Sequence, residues 1–189
     1  IDADHDGDLD LFITGPDGNE LMINNRDGTF RNVAAEMGLV GTLSGRQVLV
    51  ADLDSDRDLD IVVIGDSLPN EVWQNDRTWQ YQSFPGLDDF KGQPLAAVST
   101  GDVDADGYGE IYGVTPEGEI IAWAFTGNLW QRQVLRPARG TVSSRRQLTL
   151  VDFNGDGRPE LLAIDPSGFQ LLDAATGKDR LVQEVTDLR

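Results

Sequence analysis

Four short segments of the chain carry acidic residues at nearly every second position. They read DADHDGDLD (2–10), DLDSDRDLD (52–60), DVDADGYGE (102–110) and DFNGDGRPE (152–160), and each starts fifty residues after the one before. Positions one, three, five and nine of the segments make sixteen places, of which fifteen hold Asp or Glu, where about three would be expected from 33 acids in 189 residues. Solvation of an acidic turn does not need such regularity. Closely spaced carboxylates are hard oxygen ligands, so the segments predict sites for divalent cations.

The ligand chemistry favours calcium among these cations. Calcium accepts six to eight oxygen ligands in flexible geometry, whereas magnesium requires a strict octahedron and retains water. Zinc prefers nitrogen and sulfur, and the chain has one histidine and no cysteine. We therefore expect up to four Ca²⁺ ions, one for each acidic loop.

An EF-hand also begins D-x-D-x-D-G, but its loop needs a bidentate acid at the twelfth position and a helix on either side. The acid of these loops stands at the ninth position, and strand-like sequence flanks them. The glycine-rich nonapeptide repeat of parallel β-helices is absent as well. At the twelfth position, where an EF-hand has its acid, the four loops have Ile13, Val63, Gly113 and Ala163, none of which is acidic.

The net charge of −18 comes mostly from the four loops. Without their fifteen carboxylates, 18 acids remain against 15 bases. A surface this acidic repels phosphate backbones, so nucleic acid is not expected as a partner. No apolar run approaches 18 residues, so membrane insertion is not expected either.

The fifty-residue register continues between the loops and predicts the elements that position them. Each repeat shows four short β-branched or alternating runs separated by Gly, Pro, Asn and Asp, which is typical of propeller blades. Arg31 to Met37 alone has a helical pattern, and it is short. We predict an all-β fold of four-stranded antiparallel blades, in a single β-propeller segment spanning 1–189. Its repeats are about 1–46, 47–94, 95–146 and 147–189.

The loop pattern D-x-D-x-D-G-x-x-D between strands, repeated in each blade, resembles the FG-GAP/VCBS repeats of integrin α-subunit-like propellers. The first repeat also resembles secreted bacterial FG-GAP proteins of the ASPIC/UnbV type. The resemblance implies that side chains at positions one, three, five and nine, and the backbone carbonyl at position seven, bind Ca²⁺. The implied ligands are Asp2, Asp4, Asp6, Asp8 and Asp10; Asp52, Asp54, Asp56, Asp58 and Asp60; Asp102, Asp104, Asp106, Tyr108 and Glu110; and Asp152, Asn154, Asp156, Arg158 and Glu160.

Three loops depart from this pattern. Arg57 stands where the other loops have glycine, Asn154 replaces an acid, and Glu110 and Glu160 replace Asp at position nine. If position six is left-handed, Arg57 is strained by roughly 1–2 kcal/mol. We therefore expect site one to bind calcium best, site two to be strained and site four to be weaker.

Other side chains suggest further roles. Trp73 and Trp123 share one repeat position, while Phe30 and Trp130 share another, from which Trp79 is displaced by one residue. This repetition favours packing between blades over a sugar-stacking platform. His5 lies within a loop and is expected to face solvent. The basic stretch could receive an acidic partner or form a solvated rim; it comprises Arg132, Arg136, Arg139, Arg145 and Arg146.

Two classes of function remain open. The first is a non-catalytic, calcium-stabilised propeller for adhesion or protein recognition, with an unidentified protein or glycan ligand. The second is the propeller of a secreted carbohydrate-active enzyme or lectin. We favour the first, because no cluster of catalytic bases lies outside the loops. Weak calcium sites suit an extracellular, cell-surface or periplasmic location. The chain starts inside a loop, so we expect a larger propeller whose remaining blades come from the parent chain or another subunit.

Overall fold

The described part of the chain folds into fifteen strands and one short helix. In this computed structural model, the description covers residues 1–39, 41, 44–67, 69–76, 78, 80–138, 147–165 and 168–184. The first half contains β1 (Leu11–Gly15), β2 (Gly18–Asn24), β3 (Phe30–Asn32), β4 (Gly45–Ala51), β5 (Asp60–Gly65), β6 (Glu71–Asn75), β7 (Tyr81–Ser83) and α1 (Asp88–Lys91). The second half contains β8 (Ala97–Gly101), β9 (Glu110–Val114), β10 (Ile120–Thr126), β11 (Leu129–Arg136), β12 (Gln147–Val151), β13 (Glu160–Asp165), β14 (Gly168–Asp173) and β15 (Asp179–Glu184).

The strands form four antiparallel sheets, each built from consecutive strands. The sheet orders are β1-β2-β3, β4-β5-β6-β7, β8-β9-β10-β11 and β12-β13-β14-β15. Tight turns explain why neighbouring strands pair: Thr126 pairs with Leu129 across Gly127 and Asn128, which both have positive φ. Such two-residue turns match the twist of a hairpin. The predicted all-β class with four-stranded antiparallel blades is therefore confirmed, and the first sheet contains three strands in the described residues.

The acidic loops occupy the same place in each sheet. Loops two, three and four connect β4 to β5, β8 to β9 and β12 to β13, and loop one leads into β1. In the last three loops the acid at position nine is also the first residue of the following strand. Loop and sheet are therefore joined at that residue.

Two local features concern helices. Residues 34–38 form turns with one i→i−4 hydrogen bond, from the Met37 N–H to the Val33 carbonyl over 2.9 Å, so the short helical pattern of Arg31 to Met37 gives a single turn and no helix. The described helix is α1, where Asp88 and Asp89 occupy the first turn and Phe90 is buried. Local pattern missed α1 because it is only four residues long.

The chain divides into two compact units, residues 1–93 and 94–189. In the first unit, the core includes Leu21, Ile61 and Val63, which lie on strands of both its sheets. In the second unit, Tyr112 and Leu161 belong to a core shared in the same way. Each unit thus buries apolar residues from two sheets in one core.

The repeated aromatic residues have mixed positions. Trp123 is fully buried and Trp73 packs against the first unit's core, as predicted. Phe30 is exposed instead, and Trp130 is half-buried with its ring edge against Phe125 at 5.8 Å. Trp79 lies outside the described residues.

Among the described residues, no helix has the length and apolar character needed to cross a membrane.

The second unit's core offers a test of the packing. Leu161 is 0% exposed and Leu129 is 67% exposed. We expect Leu161→Ala to lower the free energy of unfolding by about 2–5 kcal/mol, because it leaves a cavity. Leu129→Ala should change it by less than about 0.5 kcal/mol. Urea denaturation measures both, and equal losses would contradict this core.

Candidate metal centres

The four acidic loops share one pattern of hydrogen bonds from backbone to carboxylate. The N–H of residue two donates to the acid at position nine in every loop, over 2.8–3.0 Å. The N–H of residue six donates to the acid at position one, over 2.9–3.2 Å. The N–H of residue seven donates to the acid at position five, over 2.8–3.1 Å. The sequence repeat is therefore also a repeat of local structure.

Two positions of each loop adopt a left-handed backbone conformation. At position six, Arg57 has φ 73°, where the other loops have glycine. The bend expected there is confirmed, including the left-handed conformation of Arg57. Position four is left-handed as well, which the sequence did not indicate, because three of its four residues carry side chains. These residues are His5, Ser55, Ala105 and Gly155.

The acid at position nine is buried in every loop. Asp10, Asp60, Glu110 and Glu160 are 3%, 0%, 5% and 3% exposed. The second carboxylate oxygens of Asp10 and Asp60 accept the N–H groups of Asn24 and Asn75, both over 2.9 Å. In these two loops the acid therefore fastens the loop to the second strand beyond it.

Carboxylate oxygens converge in three of the loops. In each set, one oxygen per residue lies within 4.8 Å of the others. Positions one and three belong to every set, position five joins them in loop one, and position nine joins them in loops two and three. The sets are Asp2, Asp4 and Asp6; Asp52, Asp54 and Asp60; and Asp102, Asp104 and Glu110.

Buried oxygens without a hydrogen-bond donor provide a test of metal fit. Asp2 Oδ1, Asp8 Oδ1 and Asp54 Oδ1 are buried and find no donor among the described residues. An unpaired buried carboxylate oxygen is costly unless a cation or proton compensates it. Asp2 and Asp54 belong to the converging sets, so the oxygens present suit a hard divalent cation.

Acidic groups in the loops have shifted pKa values. Burial raises the pKa of Asp60 to about 7, and the charges of Asp54 and Asp56 add to this shift. Burial likewise raises the pKa of Glu110 to about 7, with further contributions from acids of its own loop. Burial also raises the pKa of Asp4 and of Asp54. A neighbouring cation would favour the charged forms of all four groups.

Loop four differs because its third residue is an amide. Asn154 Oδ1 accepts the Asp156 N–H over 2.8 Å, and Asn154 Nδ2 donates to Glu160 Oε1 over 2.8 Å. One carboxylate oxygen of the acid at position nine, Glu160, therefore already accepts a hydrogen bond from the Asn154 amide. Among the described residues, no set of three acids converges in this loop.

Loops one and two receive side chains from outside the acidic segments. Arg26 Nε donates to Asp8 Oδ2 over 2.7 Å, and Arg26 Nη2 lies 3.1 Å from Asp6 Oδ1. A hydrogen bond from the Asp8 N–H, and then the charge of Arg26, lower the pKa of Asp6. In loop two, Gln74 Nε2 donates to Asp54 Oδ2 over 2.6 Å.

His5 is half exposed, as expected of a solvent-facing residue, but it also approaches loop two. Its Nε2 lies 3.6 Å from Asp58 Oδ1, and the Asp58 side chain is only 6% exposed. Loop one therefore contacts loop two through the residue at position four.

The described part of the basic stretch is engaged within the protein. Arg132 pairs with Glu119 over 3.0 Å, and buried Arg136 bonds Gln170 and Asp179. Arg139, Arg145 and Arg146 lie outside the described residues.

The structure brings acids together in loops one, two and three, and sequence reasoning missed Arg26 and Gln74 beside them. Both lie on the first unit's other strands and turns, 18–20 residues from their partners. No local spacing marks them.

The family model of the FG-GAP-like repeat matches residues 2–63 and 102–163. The chain belongs to the FG-GAP-like repeat family. Each matched span starts at position one of an acidic loop and includes the next loop, so the two spans together contain all four. The family model does not test the narrower resemblance to proteins of the ASPIC/UnbV type, which stays a prediction.

Comparison with one solved structure supports the fold. A structure of an Agrocybe aegerita lectin that specifically recognises non-reducing terminal N-acetylglucosamine is 21% identical, with a TM-score of 0.61. The similarity covers 97% of this chain and 50% of the lectin chain. A Photorhabdus luminescens Tc holotoxin pore is also 21% identical, with a TM-score of 0.48, over 83% of this chain and 8% of the toxin chain. The chain thus spans half of the lectin's length and a small part of the toxin's. No curated protein sequence matches it.

The left-handed positions make a prediction about loop two. Arg57→Gly should raise the free energy of unfolding by about 1 kcal/mol, because glycine accepts positive φ without strain. Gly157→Ala should lower it by a similar amount, since φ is 82° there and no atom lies within 4 Å of the added Cβ.

Arg158→Ala is the control, at an exposed arginine outside the positive-φ positions. Thermal and urea unfolding in excess calcium measure all three variants. A loss of stability in Arg57→Gly would show that the arginine side chain matters more than the backbone strain.

Proposed function

We propose that this FG-GAP-like repeat chain is a calcium-stabilised, non-catalytic binding module that acts outside the cytoplasm. The observation that carries the proposal is the convergence of carboxylates in three loops, two of which contain a buried oxygen without a donor, at Asp2 and Asp54. Backbone N–H groups satisfy part of each loop's oxygens and leave the rest for a cation. Four similar loops support one common role.

Electrostatics favours a bound cation over bare loops. Two unit negative charges about 5 Å apart repel by roughly 0.8 kcal/mol at water's dielectric, and three carboxylates make three such pairs. Burial of the acid at position nine makes its charged form more costly still. A divalent cation supplies positive charge and six to eight coordination positions for oxygen.

The residues that would hold the ions follow the loop positions. Acids one, three, five and nine would supply side-chain oxygens, and residue seven its carbonyl. Site three, with Asp102, Asp104, Asp106, Tyr108 and Glu110, has acids at all four side-chain positions and glycine at position six. Site four lacks one of these carboxylates at Asn154, so it would hold calcium more weakly.

The expected affinity bears on location. Calcium sites of extracellular modules bind at about 10⁻⁴–10⁻³ M, far above cytosolic free calcium. Sites of that strength are filled only outside the cytoplasm. Secretion, surface display or a periplasmic location therefore suits the proposed role, and the net charge of −18 does not suit nucleic acid.

A second candidate function is glycan binding, as a lectin or as the propeller of a carbohydrate-active enzyme. An aromatic group on the second unit favours it. The ring centroids of Tyr108 and Phe125 lie 4.8 Å apart in a tilted arrangement, and those of Phe125 and Trp130 lie 5.8 Å apart, edge to face. All three side chains are half-buried, so parts of their rings reach solvent. The lectin with a similar fold suggests N-acetylglucosamine-terminated glycans as the first probes.

Calcium removal tests the main proposal. A ligand at 100 times its Kd stabilises the folded state by about 2.7 kcal/mol per site. A gain of this size corresponds to about 5–10 °C in Tm for a chain of this length. We therefore expect EGTA to lower Tm by at least about 10 °C, and calcium, but not magnesium at the same concentration, to restore it.

Matched variants locate the effect. Asp104→Asn should reduce the calcium-dependent gain in Tm, whereas Asp17→Asn, the same change at an exposed residue outside the loops, should preserve it. A Tm that EGTA leaves unchanged, on protein shown to be metal-free by elemental analysis, would contradict a structural role for calcium.

A glycan array in calcium and in EGTA tests the second candidate. If the aromatic group binds sugar, Trp130→Ala should abolish binding of the retained glycans, because stacking supplies much of the contact area. Phe30→Ala, at an exposed aromatic of the other unit, is the control. An array without any retained glycan would leave protein recognition as the favoured function.

A further inference from the structure

Arg26 differs from the other residues near the loops because it brings a positive charge onto the acids of loop one. Its guanidinium donates to Asp8 Oδ2 over 2.7 Å and to the Asp6 carbonyl, and lies 3.1 Å from Asp6 Oδ1. Asp6 is a member of the converging set of loop one. One cationic side chain therefore contacts both a proposed calcium ligand and its neighbour at position seven.

The turn between β2 and β3 fixes Arg26 in this place. Asn24 donates its N–H to Asp10 Oδ1 over 2.9 Å, which ties the end of β2 to loop one. The Asn24 side-chain oxygen accepts the Arg26 N–H over 3.0 Å, and Arg26 has φ 60°. The arginine is therefore positioned by the same hairpin that the acid at position nine holds against the loop.

Loop three provides a comparison, because the turn that corresponds to the one carrying Arg26 has no charged residue. The corresponding hairpin, β10–β11, turns through Gly127 and Asn128, which are uncharged. Residue seven of loop three is Tyr108, and its ring lies against that of Phe125 in the hairpin, tilted by 31° with the ring centroids 4.8 Å apart. The hairpin thus contacts residue seven in both units, through an ion pair in loop one and through aromatic rings in loop three.

We propose that Arg26 is a built-in counter-ion of loop one, which holds the loop closed without metal and lowers its calcium affinity below that of loop three. The inference rests on the proposed calcium function and concerns the regulation of its first site. It reverses the expectation from the sequence that site one binds calcium best. Acid content does not separate the two loops, since each has acids at all four side-chain ligand positions.

Both effects follow from the same contacts. A cation already paired with Asp6 offsets part of the repulsion that calcium would otherwise relieve, so less is gained when calcium binds. A unit positive charge in contact with one carboxylate of the set also repels a divalent ion directly. At water's dielectric, this reduces calcium affinity about tenfold.

Glycine amides provide a separate reporter for each site. Gly7 N–H donates to Asp2 Oδ2 over 3.2 Å, and Gly107 N–H donates to Asp102 Oδ2 over 3.1 Å. Both amides bond the acid at position one of their loop, so their nitrogen–proton NMR signals should follow calcium at that loop. A titration of the full chain therefore gives one midpoint for loop one and one for loop three.

Arg26→Gln tests the proposal, because it removes the charge and keeps a donor. We expect the Gly7 midpoint to lie at higher calcium than the Gly107 midpoint in the unaltered chain. In Arg26→Gln, the Gly7 midpoint should fall about tenfold and the Gly107 midpoint should not move. Arg26→Lys retains the charge and should retain the weak site.

Arg31→Gln is the matched control. Arg31 is 56% exposed, as Arg26 is, and pairs with Glu36 over 2.8 Å in the same unit. Its loss changes the net charge equally and should leave both midpoints in place. An unchanged Gly7 midpoint in Arg26→Gln, or an equal shift in Arg31→Gln, would overturn the proposal.

Hydrogen exchange in EGTA separates this proposal from the calcium function. There, Arg26→Gln should speed exchange of the loop-one amides at least several-fold and leave loop three unchanged. If neither glycine responds to calcium in the unaltered chain, the calcium function fails and the affinity effect with it. Faster exchange would then still support the proposal that Arg26 holds loop one closed without metal. Unchanged exchange would overturn it.

Discussion

Mutual repulsion of carboxylates within nine-residue loops is the constraint on which the rest of this structure depends. Backbone N–H groups relieve part of it, because residues two, six and seven of every loop donate to acids nine, one and five. To point these groups inward, the backbone turns left-handed at positions four and six, even at Arg57. The acids that remain near one another, such as Asp102 and Asp104, repel each other, and a bound cation would relieve that repulsion.

The burial of the acid at position nine connects this constraint to the sheets. Asp60 is fully buried and accepts N–H groups from both its loop and the strand β6. A change in the charge of the loop therefore acts on Asp60, the first residue of β5. Ile61 and Val63 of the same strand belong to the first unit's core. The acidic loops are therefore structural parts of the blades.

The sequence was sufficient for the periodic features and insufficient for those created by the fold. Strands and acidic loops could be predicted because every repeat has the same pattern. The glycine at position six, as at Gly7, indicated the bend there. Residues such as Arg26 and Gln74 could not, because their partners are fixed by strand pairing and not by local spacing. For the same reason α1 was missed, since four residues carry almost no periodic signal.

Direct observation of the ions would test the central claim that calcium balances these carboxylates. Crystals grown in millimolar calcium, with diffraction recorded at long wavelength, would show bound calcium by its anomalous scattering. The account predicts peaks in loops one, two and three, about 2.3–2.6 Å from oxygens of acids such as Asp2, Asp52 and Asp102. Ordered loops without such peaks at saturating calcium, with their carboxylates turned to solvent, would contradict it.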